Sequence, residues 1–201
     1  MIKKITTRWL KSKGACQEAI DAFEKQDLDD PIEVLEFLVE EGRRKREKLD
    51  WAIWLIQKLM SSRQKRLFAI YMTEQTLSHF ENKHRRKIYI ARKIINIMKK
   101  SRKTADDYTV IFRFRQEYIH TIQRILEERN SNTYISQQQK NAQMILTIEY
   151  YLACVGTNDE YITNIIETAS AIYGKRAKTK MIEYLRYGIE LLRKDRDAKQ
   201  R

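Results

Sequence analysis

A chain of 201 residues with one proline and five glycines holds too few turn formers for an all-β fold, and its 42% hydrophobic content is enough to build a core. Cys16 and Cys154 stand far apart with no CxxC, which suits a reducing compartment and excludes a disulfide scaffold. The formal net charge of +13 points toward anionic partners rather than toward any one fold.

Residues 5–12 can form a short first helix. Residues 15–26 read as a second, with Ala15, Ala19, Ile20 and Phe23 on one stripe. Asp30 as cap, Pro31 at the first helical position and Glu33 as its capping-box partner open the next helix. That helix carries Ile32, Leu35, Phe37 and Leu38 and stops at Gly42, read as a left-handed terminator. Residues 49–60 are the most apolar. Leu49, Ala52, Ile53, Ile56, Leu59 and Met60 make one face, and Trp51, Trp54 and Leu55 cover much of the other. A helix apolar nearly all round belongs at the centre of its module.

Residues 64–80 follow with Leu67, Ile70, Tyr71 and Leu77, and residues 85–99 set Ile88, Ala91, Ile94, Ile95 and Met98 against Lys87, Arg92, Lys93 and Lys99. After a basic linker, helices are expected over 105–129, 134–155, 159–173 and 176–193. The third of these carries Ile162, Ile165, Ile166, Ala169 and Ile172 and is closed by Gly174. The last carries Met181, Tyr184, Leu185, Gly188, Leu191 and Leu192. The polar residues from Asp195 to Arg201 are expected to fray. The expectation is an all-α, compact multi-helix bundle of about eight or nine helices. It divides into an N-terminal module over 1–100 and a C-terminal one over 104–201, able to pack as one domain.

Met1-Ile2-Lys3-Lys4-Ile5 has charge but no apolar run behind it, so no signal peptide is expected. The longest apolar stretch, Trp51 to Met60, is about half a membrane span. A cytoplasmic chain with no membrane contact follows as an expectation.

Charge is segregated. Residues 14–42 carry ten acidic residues against Lys25 alone. Residues 83–103 carry Lys83, Arg85, Arg86, Lys87, Arg92, Lys93, Lys99, Lys100, Arg102 and Lys103 with no acid among them. Arg43, Arg44, Lys45 and Arg46 form a second cluster, expected on a loop. Tyr89 lies inside the main stripe, where it can stack on a base. Such a stripe attracts polyanions through counterion release, steers an acidic protein partner, or is simply a solvated face. No helix-turn-helix spacing, RNP motif or GXXG loop singles out nucleic acid.

Catalytic signatures are missing from the sequence. There is no GxGxxG, no GxxxxGK[ST], no GxSxG and no HExxH, and His79, His84 and His120 lack metal spacing. The carboxylates at 27–41 read as a cap and a solvated helix face. Cys16 has no local histidine to act as a base and reads as a small buried residue. Asp50, Trp51 and Trp54 have two readings, a binding niche with aromatic walls or two core tryptophans with Asp50 bonded to a nearby backbone or arginine. The second is favoured. No cofactor, metal or catalytic residue is expected.

Gly14-Ala-Cys-Gln-Glu-Ala19 followed by Phe23, then Asp30-Pro-Ile-Glu-Val-Leu35, then Leu49-Asp-Trp-Ala-Ile-Trp-Leu-Ile56 with Leu59-Met60, resembles a family of small helical immunity proteins of bacteria and their phages. Arg66-Leu-Phe-Ala-Ile-Tyr-Met-Thr-Glu74 with Phe80-Glu81 continues the likeness, which covers about residues 8–100. The family usually opens its next helix with Arg-Pro where Arg85-Arg86 stand here, and its C-terminal half is often alanine-rich, unlike residues 104–201. The resemblance implies a non-catalytic binder that blocks or neutralises a partner protein. Candidate contact residues are Arg43, Arg44, Lys45, Arg46, Lys83, Arg85, Arg86, Lys87, Tyr89, Arg92, Lys93, Lys99 and Lys100. The alternative is a nucleic-acid-binding protein that uses the stripe 83–103.

Overall fold

The computed structural model describes residues 4–80, 96, 99 and 161–198. These hold seven α-helices and no strand: α1 Thr7–Ser12, α2 Gln17–Glu24, α3 Pro31–Glu41, α4 Arg46–Leu59, α5 Ser62–Phe80, α6 Tyr161–Ala171 and α7 Ala177–Ala198, with a short 3-10 turn at Gly174–Arg176. The all-α class is as expected. Of the helix expected over 85–99, only Asn96 and Lys99 are described, both helical; the helices expected over 105–129 and 134–155 lie outside the described residues.

Local chemistry sets most of the ends. The Asp30 carboxylate accepts from the N–H groups of Ile32 at 2.8 Å and Glu33 at 3.2 Å, and Pro31 occupies the first helical position. α5 opens on a capping box that the sequence reading passed over. The Ser61 N–H donates to Gln64 Oε1 at 2.8 Å, and the Gln64 N–H donates back to Ser61 Oγ at 3.3 Å. Gly174 has φ +55° and closes the segment after α6 in the left-handed region, as expected.

Gly42 does not behave as its sequence suggests. Its φ is −61°, an ordinary helical value. It is glycine because α4 turns back against it: a Cβ there would lie 2.3 Å from Leu49 Cδ2 and 2.5 Å from Leu49 Cγ. Close packing, not backbone handedness, selects the residue.

The contacts gather into two units, residues Met1–Phe68 with Lys178–Arg201 and residues Ala69–Ala177. In the first, α4 is the central helix the sequence promised. Leu49, Ala52, Ile53, Leu55 and Ile56 are almost wholly buried, packed with Ile32, Leu35 and Val39 of α3 in the same core. Each of these leucine, isoleucine and valine side chains contributes about 1.5–3 kcal/mol by leaving water. α7 returns to this core with Met181, Leu185, Ile189 and Leu192. Gly188 marks the closest approach: a Cβ there would meet Ile56 Cδ1 at 2.5 Å and Met60 Cε at 3.0 Å. The buried Gln64 amide donates to the Leu191 carbonyl at 3.2 Å, so its polarity is used rather than stranded.

Polar pairs finish the docking of α7. Arg193 pairs with Glu36, Arg196 with Asp30 at 3.0 Å, and the Lys178 ammonium donates to the Arg43 carbonyl at 2.7 Å. The fraying expected from Asp195 onward is therefore not found as far as Ala198. A polar helix end looks loose in sequence, but here the acidic face of α3 holds it. At the other end of this unit, the Ile5 N–H donates to the Asp29 carbonyl at 2.8 Å and Lys4 pairs with the Asp29 carboxylate at 2.6 Å.

In the second unit, α5 buries Ala69, Ile70, Met72, Thr73 and Thr76. The two threonine hydroxyls donate to the Ala69 and Met72 carbonyls one turn back, at 2.8 and 2.9 Å. Of the stripe read for this helix, Ile70 is buried and Tyr71 half-buried, but Leu67 is 37% exposed and its neighbour Phe68 is fully buried instead. A helix with apolar residues on several sides leaves the choice of face to its neighbours. α6 buries Ile162, Ile165, Ile166 and Ala169 as expected, while Ile172 lies beyond the helix and is half-buried. The Tyr173 hydroxyl donates to the Gln75 carbonyl at 3.0 Å.

Candidate functional site

The basic cluster at 43–46 occupies the turn between α3 and α4. Arg43 and Arg44 lie in the turn, Lys45 is the N-cap of α4, and Arg46 is the first residue of that helix rather than part of a loop. Two of the four charges are engaged by acids three or four residues away in the chain. Arg43 Nε donates to Glu40 Oε2 at 2.9 Å, and Arg46 Nε to Asp50 Oδ1 at 3.0 Å. Asp50 is thus bonded to an arginine, as the sequence reading favoured. Arg44 and Lys45 are exposed and make no ion pair among the described residues.

Lys99 is exposed and pairs with Glu74 of α5. It lacks acids nearby in sequence but not in space. Lys83, Arg85, Arg86, Lys87, Tyr89, Arg92, Lys93 and Lys100 lie outside the described residues.

The feature that sequence reasoning underrated sits beside the 43–46 turn. Trp51 and Trp54 do not fill the core; both are half-buried. They project from the side of α4 away from Ile53 and Ile56, and with α2 and α3 they enclose a cleft of about 220 Å³. α2 contributes Ala19, Ala22 and Phe23, and α3 contributes Val34, Phe37 and Leu38. Leu10 of α1 and Leu28 of the connection before α3 complete the apolar lining. The aromatics Phe23, Phe37, Trp51 and Trp54 are each partly open to solvent.

The cleft exists because α2 is only eight residues long and cannot cover the second apolar face of the fourteen-residue α4. The sequence shows that a helix apolar on nearly all sides needs neighbours on all sides, but the second helix, expected over 15–26, is shorter than its pattern suggests.

Charge enters at the rim through Glu41, Lys45 and Lys48, and Gln26, just after α2, adds a polar side chain. Lys48 Nζ lies 3.7 Å from the Trp51 ring centroid, and the Lys48 side chain is only 13% exposed, so its stem forms part of the wall and its charge faces the ring. Glu47 is 3.8 Å from the same ammonium. The site therefore offers an apolar floor, four aromatic edges and a basic border.

Cys16 was expected to be buried and is exposed, as the N-cap of α2 with no side-chain cap bond. The short α1–α2 connection keeps it at the surface. Among the described residues no group of three or more His, Cys, Asp or Glu is placed to hold a metal ion. No described helix is long and apolar enough to cross a membrane.

No protein-family model, curated protein or solved structure matches the chain.

Proposed function

We propose that this chain is a non-catalytic binding protein that blocks an acidic partner protein through a basic helical surface, in the manner implied by its resemblance to bacterial and phage immunity proteins. The observation that carries the reading is the pairing pattern of the acidic segment. Asp29, Asp30, Glu36 and Glu40 are met by Lys4, Arg196, Arg193 and Arg43. These four acids are matched within the first unit, while Arg44 and Lys45 are exposed and without ion pairs among the described residues. Charges held in that state at a surface steer an oppositely charged partner and add specificity at contact.

The test is affinity capture by the full chain from host lysate, split in two, with one half treated with nuclease. A stoichiometric protein complex that survives the nuclease, and that is lost in the triple variant Arg85→Glu, Arg86→Glu, Lys93→Glu, is the expected result. Nucleic acid is the second reading, favoured by the ten basic residues of 83–103 with Tyr89 among them. On that reading everything captured disappears with the nuclease, and affinity falls steeply and linearly on a logarithmic salt scale.

A further inference from the structure

We infer that the tryptophan-walled cleft of α2, α3 and α4 is an anchor pocket: it takes one apolar side chain from an acidic segment of a partner protein, with carboxylates beside the anchor meeting Arg44, Lys45 and Lys48. The inference rests on the reading of the chain as a binder of an acidic protein and adds where the partner is gripped.

Three observations carry it. The first is size. At about 220 Å³ the cleft is smaller than the roughly 300–1,000 Å³ of pockets that engulf a small molecule, and it suits one aromatic or branched aliphatic side chain. The second is the lining. Partly exposed Phe23, Phe37, Trp51 and Trp54 around an apolar floor have the composition of the desolvated centre of a protein interface, where a few buried anchors dominate affinity. The third is charge. Lys45 and Lys48 line the cleft with one acid, Glu41, Glu47 stands 3.8 Å from the Lys48 ammonium, and exposed Arg44 adjoins Lys45. Lys48 is already held over Trp51, so its ordering cost is met before any partner arrives. An apolar anchor with acidic neighbours satisfies floor and border together. A basic or neutral segment satisfies only the floor.

The probes are three: a synthetic amphipathic peptide with a phenylalanine anchor flanked by glutamates, the same peptide with lysines for the glutamates, and decanoate as a small anionic amphiphile. The readout is tryptophan emission of the full chain, whose only tryptophans are Trp9, Trp51 and Trp54. The glutamate peptide is expected to give saturable binding and an emission shift that is lost in Trp54→Ala. The double variant Arg44→Glu with Lys45→Glu, both at exposed positions, is expected to weaken it roughly tenfold or more and to improve binding of the lysine peptide. Far-UV helicity of each variant checks that the fold is kept.

Equal binding of the two peptides, saturation by decanoate but not by the glutamate peptide, no saturable binding of any probe up to about 1 mM, or self-association that Trp54→Ala abolishes would each overturn the proposal. Its failure is separable from that of the broader reading. If captured partner is lost with the 85, 86 and 93 substitutions while the cleft variants bind normally, the basic surface acts without the anchor.

Discussion

Asp30 and Arg196 meet at 3.0 Å although 166 positions separate them in the chain. The same carboxylate also caps α3, Oδ1 accepting from the Ile32 and Glu33 N–H groups while Oδ2 faces the guanidinium. One side chain thus starts a helix and secures the far end of another.

The two duties of Asp30 are separable by substitution. Asn keeps a capping oxygen but loses the charge, whereas Ala loses both. Asp30→Asn should cost less than about 1 kcal/mol, and Asp30→Ala about 1–2 kcal/mol. In a denaturant double-mutant cycle, Asp30→Asn and Arg196→Ala should be non-additive, because each removes the same partly exposed ion pair. Full additivity would show that the pair contributes nothing.

Gly42 and Gly174 look alike in sequence and should respond in opposite ways. At Gly42 the helical φ would let alanine improve helix propensity by up to about 1 kcal/mol. The collision with wholly buried Leu49 outweighs that gain, so Gly42→Ala should destabilise by about 1–3 kcal/mol. Gly174 has open space around its Cβ position, and only its φ of +55° opposes a side chain. Gly174→Ala should cost about 1 kcal/mol, and Gly174→Asn less, since asparagine tolerates the left-handed region. Asparagine at 42 should be worse than alanine. Thermal unfolding of the four variants checks the ordering.

Leu67 and Leu185 test which apolar positions carry the fold. Leu67→Gln should change stability by no more than about 0.5 kcal/mol, as its side chain is the one large exposed hydrophobic among the described residues. Leu185→Ala, at a wholly buried position of α7, should cost about 2–5 kcal/mol. Similar losses at the two sites in urea unfolding would refute the burial pattern.

The Lys4–Asp29 pair has a predictable pH response. The Asp29 carboxylate, through its hydrogen bond first and its charge second, raises the Lys4 pKa above the ordinary 10.5, against a small opposing effect of desolvation. From neutral pH up to the ordinary lysine range the pair's contribution is therefore complete, and it is lost as pH climbs through the raised value. The stability difference between wild type and Lys4→Gln should stay constant from neutral to mildly alkaline pH and shrink only at strongly alkaline pH. A difference that fades already near neutrality would contradict the assignment.

The sequence by itself determined what depends on near neighbours along the chain. Asp30-Pro31 starts α3 because cap and fixed φ act within one turn, and the all-α class follows from helical periodicity with scarce breakers. The buried stripe of α6 and the centrality of α4 were legible for the same reason: a face repeated every 3.6 residues must meet something apolar. Tertiary structure alone decided what depends on residues distant in the chain. Gly42 is set by the return of α4, and the face of α5 turns Phe68 in and Leu67 out because neighbours select it. The end of α7 is held because Glu36 of α3 and its cap Asp30 pair with Arg193 and Arg196, residues more than 150 positions away. Trp51 and Trp54 line a cleft rather than fill a core because α2 is too short to cover them. An amphipathic pattern states that a face will be buried, whereas the length and position of the partner helix fix how much of it is.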